Sequence, residues 1–305
     1  MPKQEKKSAC ETIGNFAESM GNFITDFSTK TTETMAKAKD TVISAVDVNG
    51  NGKIDIEDII MLGLKVPGVR IDREEFLRKE LLKKYPQNVI DDAVLNNPAH
   101  ARIPISEIDK LADSAIQYER NCVSGISAAL GIPGGVTMVA TIPADLAQYY
   151  GYMLRTIQKL LYLYGFPEII PENSNIVLDD EIMNTLILCF GVMYGVHGAN
   201  IALKAMAKAL AVGVEKKLLK AALTKGTIYP IVKNVAKWFG QNMTKKVFAG
   251  FFKKAIPIVG GVVGGGITYL SFKPCCERLK DTLKDTMLSN PNYKPTLEED
   301  GFVIE

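Results

Sequence analysis

Three long stretches without a charged residue constrain this sequence more than any other feature. They span residues 121–144, 182–203 and 255–272, which are 24, 22 and 18 residues long. Each is long enough to be considered as a membrane-crossing helix. A helix buried in a protein core excludes charge for the same reason, because burying an unpaired charge is costly. The stretches therefore either pack together in a helical core or contact a membrane.

Interruptions in these stretches argue against simple transmembrane spans. Gly-Ile-Pro-Gly-Gly interrupts the first stretch at 131–135, and Pro257 with several glycines interrupts the third. The second stretch carries three polar side chains, which are those of Asn184, His197 and Asn200. Proline and glycine weaken helices and favour turns. We expect the apolar stretches to form Gly/Pro-broken helical hairpins.

Small residues four positions apart recur in the same stretches, with Gly191 and Gly195 in the second and Gly260 and Gly264 in the third. Such pairs let two helices approach closely, either in a protein core or in lipid. Three-four spacing of apolar residues continues through much of the chain and indicates amphipathic helices. The predicted fold class is all-α, with a multi-helix domain that contains the apolar hairpins.

The N-terminal part has a different organisation. Apolar residues at alternating spacings of three and four line one helical face, and these are Ile13, Phe16, Met20, Phe23 and Phe27. A helix-loop-helix pattern follows, with the loop beginning at Asp47. We therefore predict an amphipathic arm over 1–40, an EF-hand-like helix-loop-helix over 41–66 and a helical domain over 67–305.

The loop DVNGNGKIDIED, residues 47–58, matches the twelve-residue calcium loop. That loop takes ligands from positions 1, 3, 5, 7, 9 and 12, with glycine at position 6 for the sharp turn. Gly52 occupies position 6. The predicted metal ligands are Asp47, Asn49, Asn51, the Lys53 carbonyl, Asp55 and Asp58.

Two departures from the calcium pattern weaken the predicted site. Asn51 replaces the usual Asp at position 5, and Asp58 replaces the longer bidentate Glu at position 12. Three carboxylates predict modest affinity for Ca²⁺ and little discrimination against Mg²⁺. An aspartate at the twelfth position also resembles the dockerin-type loop. The alternative is an Asn-Gly turn that joins two helices and carries acidic residues without binding an ion.

Charge is unevenly distributed, although the whole chain has a net charge of only +2. Segment 201–254 contains twelve lysines and one acid, Glu215, whereas the first 200 residues carry a net −7. Lysines alternate with apolar residues at helical spacing, and basic amphipathic helices bind anionic lipid or acidic protein surfaces. Nucleic acid is not expected, because the segment has no arginine and no recognised nucleic-acid-binding fold. A solvated lysine-rich face that balances acids elsewhere is the open alternative.

Three ordered segments resemble the EcsC family. They are VPGVRIDREEFLRKEL (66–81), GIPGGVTMVATIPADLAQYYGYMLRTIQKLLYLYG (131–165) and KKAIPIVGGVVGGGITYLSF (253–272). The resemblance covers roughly residues 62–305 and leaves the arm and the ion loop outside. It implies a mostly helical bacterial protein, from a family named for a gene beside an ABC transporter and lacking an agreed biochemical activity. It supplies no catalytic residue.

A helix start is predicted at Thr141, Pro143 and Asp145. A threonine hydroxyl can cap a helix, proline is tolerated in the first turn, and an acid is favourable near the N-terminal end. The helix that follows carries an apolar face and an opposite polar stripe, formed by Asp145, Gln148, Tyr152, Arg155, Lys159 and Tyr162. The stripe is interpreted as a solvated outer face, with a ligand-holding polar cleft as the alternative. In the cleft interpretation an enzyme would use Asp145 as acid, Arg155 as anchor and Lys159 as base.

Five cysteines, an odd number without CxxC spacing, indicate neither a disulfide framework nor a zinc site. The first residues lack the apolar run of a secretory signal. We expect a cytoplasmic protein, located peripherally at the inner face of the cell membrane. Cys189 and His197 are expected to be packed side chains rather than a nucleophile and its base.

Three functional hypotheses follow from these patterns. The first is a non-catalytic protein that binds an anionic membrane surface or a membrane protein such as a transporter. The second is an enzyme with its site around Asp145 and Arg155. The third is a calcium-responsive module, in which the loop repositions the apolar face of the arm against the helical domain.

Overall fold

A computed structural model describes residues 42–130, 137–170, 178–254, 260–290 and 292–294. Side chains are described in these ranges except at 129–130, 137–142, 243–254 and 260–267. The predicted arm over 1–40 lies outside the described residues.

The described chain is all-helical, which confirms the predicted fold class. Residues 42–46 are helical and precede the loop at Asp47. The helices that follow are α1 Ile56–Leu64, α2 Arg73–Leu81, α3 Gln87–Leu95, α4 Ile105–Leu130, α5 Thr137–Leu163, α6 Asp180–Met193, α7 Ala199–Ala211, α8 Lys216–Thr224, α9 Tyr229–Lys254 and α10 Gly260–Lys284.

The chain divides into two compact units that are not contiguous in sequence. Unit 1 contains the described parts of Met1–Val69, Arg120–Tyr152 and Phe239–Ser271. Unit 2 contains those of Arg70–Glu119, Met153–Trp238 and Phe272–Glu305. The ion loop and α1 thus share unit 1 with segments of the predicted 67–305 domain.

In unit 1, α1 is an apolar helix whose buried face includes Ile56, Ile59 and Ile60. A Cβ atom on Gly151 of α5 would lie 2.8 Å from Val66 Cγ2 and 3.1 Å from the Gly63 carbonyl oxygen. This close approach needs glycine at position 151, because a side chain there would collide with the end of α1. The packing fixes the helix that follows the ion loop.

The second apolar stretch is buried in unit 2. Its first part forms α6, in which every residue from Thr185 to Met193 is buried. The chain then turns at 194–198 and continues into α7, where Ala202 and Leu203 are fully buried. For this stretch the structure supports a helical core. Among the described residues, no helix combines the length and apolar character needed to cross a membrane.

The glycine pair in this stretch serves two different purposes. A Cβ atom on Gly191 would lie 2.6 Å from Val235 Cγ2 of α9, so Gly191 permits the predicted close helix approach. Gly195 instead follows the end of α6 and has φ +71°. Nothing lies within 4 Å of a Cβ atom placed on it. Its role is that of a terminating glycine, since a positive φ is strained for other residues. Gly260 and Gly264 lie where side-chain surroundings are not described.

Helix α5 begins before the start that Thr141, Pro143 and Asp145 predicted. It starts at Thr137, and Pro143 lies inside the helix. The predicted start at Thr141 is therefore wrong. Proline lacks a backbone N–H and leaves one carbonyl of the preceding turn without its helical partner.

Candidate functional site

The ion loop joins residues 42–46 to α1 and is organised around Asp47. The Asp47 Oδ1 atom accepts hydrogen bonds from the N–H groups of Gly50 at 2.7 Å and Asn51 at 3.1 Å. Its Oδ2 atom accepts from Gly52 N–H at 2.7 Å. Gly50 and Gly52 have φ values of +74° and +79°, in the left-handed region that glycine tolerates. The loop thus turns at position 6 as the calcium pattern requires.

Three predicted ligands converge in the loop. The Nδ2 atoms of Asn49 and Asn51 both donate to the Oδ2 atom of Asp55, at 3.1 and 2.8 Å. The amide oxygens of the two asparagines accept backbone N–H groups, Asn49 Oδ1 from Asn51 at 3.0 Å and Asn51 Oδ1 from Lys53 at 2.9 Å. The three side chains therefore surround one small volume of the loop.

Asp58 closes the loop and also caps α1. Its Oδ1 atom accepts from the N–H groups of Val48 at 2.9 Å and Asn49 at 3.1 Å. Its Oδ2 atom accepts from Asp55 N–H, while Asp55 Oδ1 accepts from Asp58 N–H, which forms a reciprocal capping box. The Asp58 residue is only 1% exposed.

The carboxylates of the loop lie close enough to affect one another. Burial, together with the neighbouring charge of Asp55, raises the pKa of Asp58 to about 6. Burial also raises the pKa of Glu57, and the charge of Asp55 adds to it. Burial opposes ionisation of Asp55 as well, but hydrogen bonds from Asp58 N–H, Asn51 and Asn49 outweigh it and lower its pKa. A divalent cation in the loop would relieve this repulsion.

The donor set suits a hard cation, because it consists of carboxylate, amide and carbonyl oxygens. Across the residues that the structure describes, no three or more His, Cys, Asp or Glu side chains are arranged as a metal-binding group. The convergent set in the loop is mixed instead, with one carboxylate and two amides. Asp47 and Asp58 hold backbone N–H groups, and Lys53 N–H donates to Asn51 Oδ1 at 2.9 Å. Ion binding would therefore use the remaining lone pairs of Asp47 and Asp58.

A second polar cluster lies in unit 2, between α4 and α5. Glu119 is 0% exposed and accepts from Lys159 Nζ at 2.5 Å and from Arg155 Nε at 3.1 Å. The Lys159 ammonium also lies 5.7 Å from the ring centroid of Phe76 and 5.4 Å from that of Tyr118. One buried carboxylate thus holds the two cations of the predicted stripe. We call these three residues the Glu119 cluster.

Sequence reasoning missed Glu119, although a signal for it existed. The apolar stripe of α4 includes Ile108, Ala112, Ile116 and Val123, all buried, and Glu119 falls in the same stripe. An acid inside an apolar stripe needs a cationic partner when it is buried. Arg155 and Lys159, four residues apart on α5, provide it.

The polar stripe of α5 is not a solvated outer face, so that interpretation is wrong. Gln148 and Tyr162 are 0% exposed and Tyr152 is 9% exposed. Gln148 Nε2 donates to the Val123 carbonyl at 3.0 Å, which joins α5 to α4 within unit 1. From residue 143 onward, both the apolar and the polar face of α5 are largely buried.

The predicted catalytic set does not come together. Asp145 accepts from Ser127 Oγ at 2.9 Å in unit 1. Arg155 and Lys159 belong to unit 2 and are bound to Glu119. Ten residues of one continuous helix separate Asp145 from Arg155, which corresponds to about 15 Å along the helix axis.

The lysines of segment 201–254 whose side chains are described are exposed, except Lys204 and Lys208, which are half-buried. The exposed members are Lys216, Lys217, Lys220, Lys225, Lys233 and Lys237. On α9, Val235 and Phe239 are fully buried, whereas Lys233 and Lys237 are exposed.

Two side chains that the sequence grouped together have different surroundings. Cys189 is fully buried, and burial raises the pKa of its thiol to about 12. His197 is exposed in the turn between α6 and α7, so the expectation of a packed histidine is wrong. A turn near the surface interrupts the apolar stretch at this position, which periodicity alone did not indicate.

The fold and these sites define an all-helical protein with a candidate ion loop and a cationic surface. No protein-family model, no curated protein and no solved structure matches the chain. The EcsC resemblance therefore rests on its three sequence segments and stays a prediction.

Proposed function

We propose that this chain is a non-catalytic, EcsC-like protein that binds peripherally to anionic membrane surfaces. The supporting observation is the exposure of six lysines on α8, on α9 and between them, in a segment with one acid. Each lysine near an anionic leaflet contributes about 1 kcal/mol of attraction. The Glu119 cluster supports a non-catalytic role, because Arg155 and Lys159 are held in an internal ion-pair network.

Vesicle flotation of the full chain tests this proposal. We expect binding to vesicles that contain phosphatidylglycerol, little binding to pure phosphatidylcholine, and a loss of binding as salt rises. The salt effect follows from the screening of surface charges over about 10 Å at moderate ionic strength. Absence of binding to anionic vesicles at low salt would refute the proposal.

As a second function, we infer that the loop at 47–58 binds Ca²⁺, or Mg²⁺ with less selectivity. The supporting observation is the convergence of Asn49 and Asn51 on Asp55, in a loop that turns at Gly52. An ion here would tie the helix at 42–46 to α1 and have a structural or regulatory role. A ligand that binds only the folded state stabilises it by about 2.7 kcal/mol at a hundredfold excess over Kd.

The melting temperature with and without calcium tests this second function. We expect a calcium-dependent rise of several degrees, which Asp47→Asn combined with Asp58→Asn abolishes. Asparagine keeps one acceptor oxygen at each position, replaces the other oxygen with an NH2 group and removes two ligand charges. The matched control is Asp180→Asn combined with Asp285→Asn, at two exposed positions outside the loop. An equal rise in the loop variant and the control would exclude the loop as the ion site.

A further inference from the structure

The turn between α7 and α8 is closed by backbone hydrogen bonds and is open to solvent. The Val214 N–H donates to the Ala209 carbonyl at 2.9 Å, and the Gly213 N–H donates to Leu210 at 3.2 Å. Gly213 has φ +73°, and nothing lies within 4 Å of a Cβ atom placed on it. These bonds end α7 with a glycine in the left-handed conformation, which fixes the direction of the chain. We call residues 212–225 the α7–α8 corner.

Two apolar side chains of the α7–α8 corner are exposed. Val212 is 60% exposed and Leu218 is 36% exposed. The buried side of α8 is formed by Leu219, Ala222 and Leu223. Leu218 lies at the edge of that side, and about a third of it is exposed.

The charges of the corner divide into two groups. Lys220 forms an ion pair with Asp179 at 3.4 Å, and Lys216 lies near enough to the same carboxylate to help lower its pKa. Lys217 and Lys225 form no ion pair within the described residues. The corner itself contributes one acid, Glu215, at the start of α8.

Helical spacing places the unneutralised cations beside Leu218. Ala221 lies four residues after Lys217 and four residues before Lys225. Leu218 lies three residues before the same alanine. Residues three and four apart share a helical face. The outward face of α8 and its C-cap residue Lys225 therefore combine two cations with an apolar side chain, and Val212 adds a second apolar side chain at the turn.

The exposed Leu82 has different charge surroundings. Leu82 is 67% exposed, but its neighbours Lys83 and Lys84 form ion pairs with Glu80 and Glu107. Free cations interleaved with exposed apolar groups complement a bilayer, because its anionic headgroups lie directly above an apolar layer. An acidic protein surface would satisfy the lysines without burying Val212 and Leu218 as readily.

We propose that the α7–α8 corner is the membrane-contacting surface of this protein. Lys217 and Lys225 contact anionic phosphate headgroups, and Val212 and Leu218 enter the boundary between headgroups and acyl chains. This inference rests on the proposed peripheral membrane function and assigns that function to specific residues.

Flotation with corner variants of the full chain tests the assignment. With phosphatidylglycerol-containing vesicles, we expect Lys217→Gln with Lys225→Gln to weaken partitioning by about 25-fold, at about fivefold per lysine. Val212→Ser with Leu218→Ser should weaken it by roughly tenfold, because less apolar surface enters the bilayer. A circular dichroism melt of each variant checks that it remains folded.

Matched controls remove the same groups elsewhere. Lys65→Gln with Lys83→Gln changes the net charge equally at two exposed lysines outside the corner. Leu95→Ser removes an apolar side chain that is 83% exposed. These controls should retain vesicle binding within about twofold to threefold, since they leave the corner intact.

The outcomes separate the two proposals. If the unmodified chain binds anionic vesicles and the corner variants bind equally well, the corner assignment is overturned and the peripheral function stands. Equal losses in the lysine control and the lysine variant would show a non-specific charge effect and also overturn the assignment. If the unmodified chain does not bind, both proposals fail, and an acidic protein becomes the partner to seek for the corner.

Discussion

At the scale of single residues, the ion loop depends on side chains that serve the backbone and remain available to a cation. Asp47 accepts three backbone N–H groups, and Asp58 accepts three while it caps α1. Each ionised carboxylate offers about four lone-pair positions, so these bonds leave capacity for an ion. Asn51 is the exposed position at which the loop departs from the usual acidic pattern.

Asn51→Asp should increase the calcium-dependent rise in melting temperature. The substitution supplies a fourth carboxylate, and calcium affinity in such loops increases with ligand charge. It also removes the 2.8 Å bond from Asn51 Nδ2 to Asp55 and places two carboxylates together, which destabilises the ion-free loop. We expect about tenfold tighter binding by calorimetry. Asn88→Asp, at an exposed position on α3, is the control and should not change the calcium response.

Gly191→Ala should destabilise the protein, although alanine favours helices by about 1 kcal/mol over glycine. The added methyl group would lie 2.6 Å from Val235 Cγ2 and 3.0 Å from Ala199 Cβ. Overpacking of this kind costs about 1–3 kcal/mol. In α4, Gly125→Ala meets nothing within 4 Å and should be neutral or stabilising. Urea unfolding of both variants measures the contrast, and equal effects would contradict the packing argument.

At the scale of elements, the Glu119 cluster joins α4 to the C-terminal half of α5. Its members come from one position on α4 and two positions a turn apart on α5. Glu119 is fully buried, while the side chains of Arg155 and Lys159 are 20% and 12% exposed. A buried pair contributes little net stability but makes the removal of one partner costly. The cluster therefore specifies which faces of the two helices meet.

Glu119→Ala should lower the free energy of unfolding by about 3–5 kcal/mol, because it removes the buried carboxylate that binds two partly buried cations. Combining Glu119→Leu with Arg155→Met and Lys159→Met should restore much of that stability, since all three charges are removed together. Glu74→Ala is the exposed control, and loss of its ion pair with Arg78 should cost at most about 1 kcal/mol. Denaturant unfolding measures all three, and a cost for Glu119→Ala no larger than that of the control would refute the role of the cluster.

At the scale of the whole molecule, the buried side chains define a core in each unit, and the cysteines report on that burial. Cys189 and Cys276 are 0% exposed and Cys275 is 8% exposed, whereas Cys122 is half-buried. Burial raises the pKa of the Cys276 thiol well above its usual range and that of Cys189 to about 12. At neutral pH both remain protonated thiols, which are poor nucleophiles.

In a Cys10→Ser variant, a thiol-specific disulfide reagent at pH 8 should react readily with Cys122 and slowly with Cys189, Cys275 and Cys276. Denaturant should then expose the three remaining thiols, which react together. Absorbance of the released chromophore counts them over time. Rapid reaction of Cys189 or Cys276 in the native protein would contradict the burial of α6 and α10.

Much of the helical architecture could be predicted from the sequence, and much of the candidate site could not. Helix α1 ends shortly before Pro67 and Gly68, as the rules for helix termination predict. The exposed lysines of α9 follow from its helical periodicity. The polar stripe of α5 could not be interpreted in the same way. Periodicity identifies a polar face, but whether it meets water or another helix depends on residues far away in sequence.

The sequence by itself determined the helical class, the spacing of the ion-loop oxygens and the excess of lysine over 201–254. These depend on neighbours within about four residues, where backbone sterics and side-chain spacing dominate. Only the tertiary structure decided that Glu119 holds Arg155 and Lys159 and that Asp145 lies apart from them. It also decided that Val212 and Leu218 stay exposed. Burial and charge pairing are properties of contacts between distant segments, and one-dimensional patterns do not specify those contacts.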